Sequence, residues 1–287
     1  MNTLNTINPI DGRYANQTHK LSKYFSEEAL IKKRILIEVH YLLFLFKYKV
    51  FNFNLDGEEI NYILGLYSYY NHNYSIRIKE IESKIKHDVK AIEYFIKEKL
   101  DEVNSLKEKK MSIYVHLGLT SQDINSTANI LSIRDSLSNV LIPKLHMVFN
   151  TILNFANKWE SIPILSHTHG QPASPSLLGK EFLVYIERLN NELTNLYNLK
   201  YTSKFGGAVG NLNSLAFALP KIDWIEFSDS FMKLFGLERN KYTTQIDHYD
   251  NYSIIFDNIK RINNILIDLC QDVWQYISMK YFCLKIN

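Results

Sequence analysis

The stretch Ile255-Phe-Asp-Asn-Ile259-Lys-Arg-Ile262-Asn-Asn-Ile-Leu266-Ile-Asp-Leu269-Cys-Gln-Asp-Val273-Trp-Gln-Tyr-Ile277 decides the fold class, because its apolar residues return at steps of four and three. That repeat puts one apolar stripe on one helix face and predicts a long helix, at least half buried. The same spacing runs through Ile130, Ile133, Leu137, Val140, Leu141, Leu145 and Val148, with a kink expected at Pro143. It returns in Leu178, Phe182, Tyr185, Leu189, Leu193 and Leu196. Three long amphipathic helices predict a bundle. Tyr185 and Trp274 fit its core or a contact between subunits equally well, so a homo-oligomer is open.

Working outward, the prolines are Pro9, Pro143, Pro163, Pro172, Pro175 and Pro220, which leaves long runs with nothing to break a helix. Residues 22–50 and 81–110 read as helices separated by an Asn- and Tyr-rich stretch, 51–74, that contains Gly57 and Gly65. No strand alternation is strong enough to define a sheet, beyond one or two short strands. The expected fold class is therefore all-α, with a small helical N-terminal domain over 1–110 and a long-helix bundle over 111–287.

Composition narrows the function. With 46% hydrophobic and 22% charged residues, the 287-residue chain has the means to bury a core. Thirty-three basic against 30 acidic residues leave a net charge of +3, too slight for a nucleic-acid footprint, so any anion site must be local. Two cysteines, Cys270 and Cys283, show no C-x-x-C spacing and fit a reducing compartment. Residues 1–14 contain Asp11 and no apolar run, unlike a signal peptide. The greasiest run, 35–46, is interrupted by Glu38 and His40, so no membrane partner is expected. A soluble cytoplasmic protein is the expectation.

Polar residues gather in four short stretches beside the long helices. In His116-Leu-Gly-Leu-Thr120-Ser121-Gln-Asp123-Ile-Asn125, Thr120 can cap a helix starting near 121, with Asp123 in its first turn. The same N–H groups and hydroxyls suit a carboxylate or phosphate, so capping and anion binding both stand. Ser166-His167-Thr168-His169-Gly170-Gln171-Pro172 reads as a turn between helical segments, where a histidine is either a general acid or base or a structural group. His-x-His lacks a third ligand at metal spacing. Lys86-His87-Asp88 sits in a helix-like charged stretch and reads equally as a solvated face. Gly206-Gly207-Ala-Val-Gly210-Asn211 lacks a P-loop's preceding strand and lysine and reads as a tight backbone turn.

Taken together these stretches resemble the adenylosuccinate lyase family of the fumarase/aspartase superfamily. The resemblance is carried by Pro9-Ile-Asp-Gly-Arg13-Tyr14, His87-Asp-Val-Lys-Ala-Ile-Glu93, Thr120-Ser-Gln-Asp-Ile-Asn125, Thr168-His-Gly-Gln-Pro-Ala-Ser-Pro175 with Gly179-Lys-Glu181, Gly207-Ala-Val-Gly-Asn211 and Tyr242-Thr-Thr-Gln-Ile246. It implies an α-helical fold with a small N-terminal domain, a central domain of very long helices, and a homotetramer. The implied reaction is β-elimination, releasing fumarate from adenylosuccinate to give AMP, and in many members also from the succinylated aminoimidazole carboxamide ribotide. No cofactor and no metal are implied.

By its motif His169 resembles the family's general acid. Arg13 and Tyr14 resemble the phosphate-side pair, Lys86, His87 and Asp88 a substrate-binding segment, Thr120 and Ser121 holders of the substrate's anionic groups, and Gln245 a substrate-binding glutamine. Many relatives have Arg or Asn where Lys86 stands. His167 and His248 match no functional position. The family's mobile signature loop, Gly-Ser-Ser-x-Met-Pro-x-Lys-x-Asn, whose serine serves as base, does not occur in the 287 residues. The expectation is thus a chain truncated before the end of the central domain, without the C-terminal domain. Rival readings are a non-catalytic helical fragment that oligomerises, and another fumarate-releasing lyase of the superfamily.

Overall fold

The computed structural model describes residues 5–285. In chain order its main elements are α1 (Glu27–Lys47), α2 (Gly57–Ser68), α3 (His72–Ile85), α4 (Asp88–Asp101), α5 (Ser121–Ser136), α6 (Ile142–Lys158), β1 (Pro163–Thr168), β2 (Gln171–Leu177), α7 (Leu178–Tyr197), β3 (Thr202–Lys204), α8 (Trp224–Leu234), β4 (Glu238–Asn240) and α9 (Asp250–Ser278). They form two compact units. The first joins Met1–Val140 with Tyr201–His248, and the second joins Leu141–Lys200 with Tyr249–Asn287.

The first unit is built around α1, which is buried on most of its circumference through Ile31, Ile35, Ile37, Val39, Tyr41, Leu42, Phe44 and Leu45. A helix apolar nearly all round has to lie inside. Ser26 starts it by accepting a hydrogen bond from the Ala29 N–H at 3.1 Å. Tyr41 and Phe44 then meet Phe227 and Phe231 of α8 with ring centroids 5.0 to 5.9 Å apart, mostly edge to face. β3 and β4 pair in parallel, with Ser203 opposite Arg239.

In the second unit α7 buries Leu178, Phe182, Tyr185, Leu189, Leu193 and Leu196, the stripe the spacing predicts, and packs against α6 and α9. Gly179 lets α7 approach α6 closely, since a Cβ there would fall on the Ala156 carbonyl and 2.7 Å from the Glu160 Cα. On α9, Ile255 and Ile262 of the predicted stripe are buried and the other five residues are half-buried. Trp274 is 72% exposed and Tyr185 is buried.

The structure departs from the sequence reading in four places. Residues 51–74 contain α2, whose glycines and tyrosines mask a capping box in which Asp56 accepts from the Glu59 N–H and Glu59 from the Asp56 N–H, both at 2.9 Å. The helix expected over 81–110 breaks at Lys86, which takes a left-handed conformation (φ 58°), and His87 begins a new one. Residues 163–177 form an antiparallel hairpin, not merely a turn between helices. Its strands lie almost wholly in solvent, with only Ile164 buried among them, so no apolar alternation announced it. Pro143 falls in the first turn of α6, preceded by a π-helical turn, Leu137–Leu141. That wide turn holds Asn139, whose carbonyl the proline ring would strike in a regular helix. The glycine-rich stretch is a tight turn as expected, with φ +74° at Gly207 and +82° at Gly210.

Candidate active site

Three of the predicted segments meet in the first unit. His87 caps α4, its Nδ1 accepting from the Lys90 N–H at 3.1 Å. An accepting Nδ1 leaves the ring proton on Nε2. That Nε2 lies 3.5 Å from the Ser121 hydroxyl at the start of α5. Beside them, Arg34 of α1 donates from one guanidinium nitrogen to Asp88 at 2.6 Å and from Nε to Asn125 at 2.8 Å. One buried arginine therefore fastens the start of α4 to the first turns of α5. Partial burial disfavours the charged Asp88 carboxylate, but Arg34 and the Val89 N–H outweigh it and hold its pKa below the ordinary value.

Thr120 and Ser121, both half-buried, begin α5. Asp123 accepts from the Thr120 N–H at 2.8 Å, as the capping reading expects. The same carboxylate is fully buried and also accepts from the N–H of Gly206 at 2.8 Å and from the Lys204 ammonium at 2.7 Å. The predicted Gln245 is exposed in the loop between β4 and α9. An open cleft of about 620 Å³ beside it is lined by Gly210, Asn211, Thr243, Thr244, Ile246 and Asp247 among others.

Arg13 and Tyr14 are exposed near the N-terminus, the guanidinium 5.7 Å from the Tyr14 ring centroid. Lys86 is exposed at the α3–α4 break. Among the described residues no hydrogen bond joins Arg13, Tyr14, Lys86 or Gln245 to the His87, Asp88 and Ser121 group. His169 belongs to the second unit. It stands exposed at the hairpin tip with φ 53°, followed by Gly170 at φ 74°. Two successive positive φ angles are what a two-residue hairpin turn needs. Among the described residues no three His, Cys, Asp or Glu side chains converge as a metal set, and no described helix is long and apolar enough to cross a membrane.

Sequence reasoning missed Arg34, Glu38, Lys204 and Asp247. Glu38 had a signal, being an acid inside the greasiest run of the chain. Its side chain is fully buried and meets the His116 Nδ1 at 2.5 Å, while its Oε2 has no partner among the described residues. Burial disfavours the charged His116 ring, but the Glu38 carboxylate, with Glu93 and Asp123 behind it, raises the pKa above the ordinary 6.5. The folded state then holds this proton more tightly than the unfolded chain. The stabilisation is full below 6.5 and is lost as pH rises through the raised value. Melting temperature is expected to fall over that window, and His116→Gln to flatten the fall; an equal slope in the variant would place the titration elsewhere.

The fold and the grouped motifs define a class first. The structure overlays a fumarate lyase from Mesorhizobium with a TM-score of 0.72 at 16% identity, covering 91% of this chain and 57% of that one. It overlays the β-carboxy-cis,cis-muconate cycloisomerase of Acinetobacter calcoaceticus with a TM-score of 0.70 at 19% identity, covering 90% and 57%. Both likenesses speak for the fold alone, one built on long α-helices. The lyase family profile matches residues 12–286, and the chain belongs to that family. By sequence it is 46% identical to an adenylosuccinate lyase of Dictyostelium discoideum, over the whole of this chain and 63% of that protein. An adenylosuccinate lyase of Haemophilus influenzae is 38% identical over 98% of this chain and 62% of its own length. The chain thus spans about three fifths of the curated relatives it matches.

Proposed function

We propose that the chain serves the β-elimination of fumarate from adenylosuccinate to give AMP, and from the succinylated aminoimidazole carboxamide ribotide where both substrates are used. The observation that carries this reading is identity of 46% to an adenylosuccinate lyase of Dictyostelium discoideum along the entire chain. In the reaction a base removes a proton from the carbon beside a carboxylate, the C–H electron pair becomes the new C=C bond, and the C–N bond breaks toward the purine nitrogen. That nitrogen needs a proton, and His169 is the residue to give it. Negative charge builds on the carboxylate, which favours donors fixed in advance. Thr120 and Ser121 at the start of α5 are suited to that, with His87 and Asp88 beside them.

Arg13 and Tyr14 would take the phosphate, and Lys86 and Gln245 further substrate contacts. No cofactor enters the reaction as written. The partners are the succinylated nucleotide and further copies of the chain, as a homotetramer when full length, in the cytoplasm. Ile254, Phe256, Ile267 and Trp274, exposed along α9, support the self-association.

The test is cleavage of adenylosuccinate by the purified chain, followed as AMP plus fumarate, together with AMP binding by calorimetry. AMP is expected to bind, and argininosuccinate and malate to be left intact. A folded chain that neither binds AMP nor cleaves adenylosuccinate would leave the rival, a helical fragment that only oligomerises.

A further inference from the structure

We propose that Lys204 is a positioning residue that fastens three segments into one rigid wall: the first turn of α5, the 206–210 turn and the 242–248 loop. The inference rests on the reading that Thr120, Ser121 and Gln245 touch substrate. Its structural part stands without that reading.

Lys204 is fully buried, so it reaches no open surface and acts through its neighbours. Its ammonium donates to Asp123 at 2.7 Å and to the Gly207 carbonyl at 2.6 Å. Its backbone N–H donates to Ser126 at 3.1 Å and to the Asp247 carboxylate at 3.2 Å. Asp247 in turn accepts from the Ser126 hydroxyl at 2.7 Å and from Asn240 at 2.9 Å. One residue thus joins two buried carboxylates, one in the first turn of α5 and the other two positions after Gln245. The glycines complete the contact. A Cβ on Gly210 would fall on the Thr243 carbonyl and 2.7 Å from the Thr244 carbonyl, so the two turns meet backbone to backbone.

A buried ion pair is a poor source of stability compared with apolar packing of the same volume, because both charges lose their water. It does impose direction, since each oxygen and each N–H must find its partner to offset burial. Here the matched partners sit on segments far apart in sequence. Loss of the ammonium is therefore expected to loosen the first turn of α5 and the 206–210 turn relative to one another before it unfolds the unit, while the backbone N–H of Lys204 keeps its tie to Asp247 in the 242–248 loop.

The experiment is amide hydrogen exchange by NMR on the 287-residue chain, without substrate. In the unaltered protein the amides of Thr120, Lys204, Gly206 and Gly207 are expected to open as one unit, with a common free energy. In K204M the amides of Thr120, Gly206 and Gly207 are expected to exchange about tenfold faster or more, while those of α1 and α7 keep their rates. A packing role alone would lower protection evenly. The double variant K204M/D123N removes both charges and gives the same readout should the single variant not fold. Independent opening of these amides in the unaltered protein overturns the proposal, and so does local exchange unmoved in both variants. Failure of the lyase reading would appear differently, as absent AMP binding with the coupled opening intact.

Discussion

In a chain extended through the signature loop that carries the family's base, asparagine in place of His169 is expected to slow fumarate release by ~10²–10⁴-fold, the usual cost of losing a general acid. Its effect on melting temperature should be small. His169 is exposed and lies at φ 53°, a left-handed conformation that asparagine tolerates and alanine resists. Asparagine therefore keeps the turn while removing a group able to deliver a proton near neutral pH; alanine would mix the chemical loss with turn strain. The measurement is fumarate release with adenylosuccinate, beside a variant-blind control, binding of AMP. Equal AMP affinity with the rate lost supports proton donation to the leaving nitrogen. A rate within about threefold of the unaltered protein would remove His169 from the chemistry.

Much of the fold is legible because long helices advertise themselves. The stripes of α7 and α9 recur at helical steps over many residues, and burial follows them closely at Leu189, Leu193 and Ile262. The hairpin stayed hidden for a physical reason. Both of its faces meet solvent, so its strands carry prolines, serines and histidines in place of alternating apolar residues. α2 was hidden by glycine and tyrosine, although the Asp56 and Glu59 box marked its start. The site divides in the same way. Thr120, Ser121, His87 and His169 stand in local motifs that a reader can find. The residues that hold the first three in place do not, because their partners are remote: Arg34 and Asp88 lie 54 positions apart, Lys204 and Asp123 81, and Ser126 and Asp247 121. Such pairings exist only after the chain folds.

Removal of the Asp123 carboxylate tests the depth of that dependence, and Asp123→Ala is expected to be the most destabilising change considered. The substitution leaves the buried Lys204 ammonium with the Gly207 carbonyl but no counter-charge, and strips acceptors from the N–H groups of Thr120, Gly206 and Gly207. Breaking one side of a buried ion pair costs about 3–5 kcal/mol. For a chain of this size that lowers the melting temperature by on the order of 10 °C. Adding Lys204→Met to Asp123→Ala should return part of the loss, since it removes the unpaired charge. The two substitutions should then be strongly non-additive. Thermal melts of the four proteins in the cycle read the coupling directly. Losses that simply add would mean that Asp123 and Lys204 act apart, each through packing alone. A double variant nearly as stable as the unaltered protein would mean that most of the cost lies in the stranded charge, and that the carboxylate serves mainly to align the segments it holds.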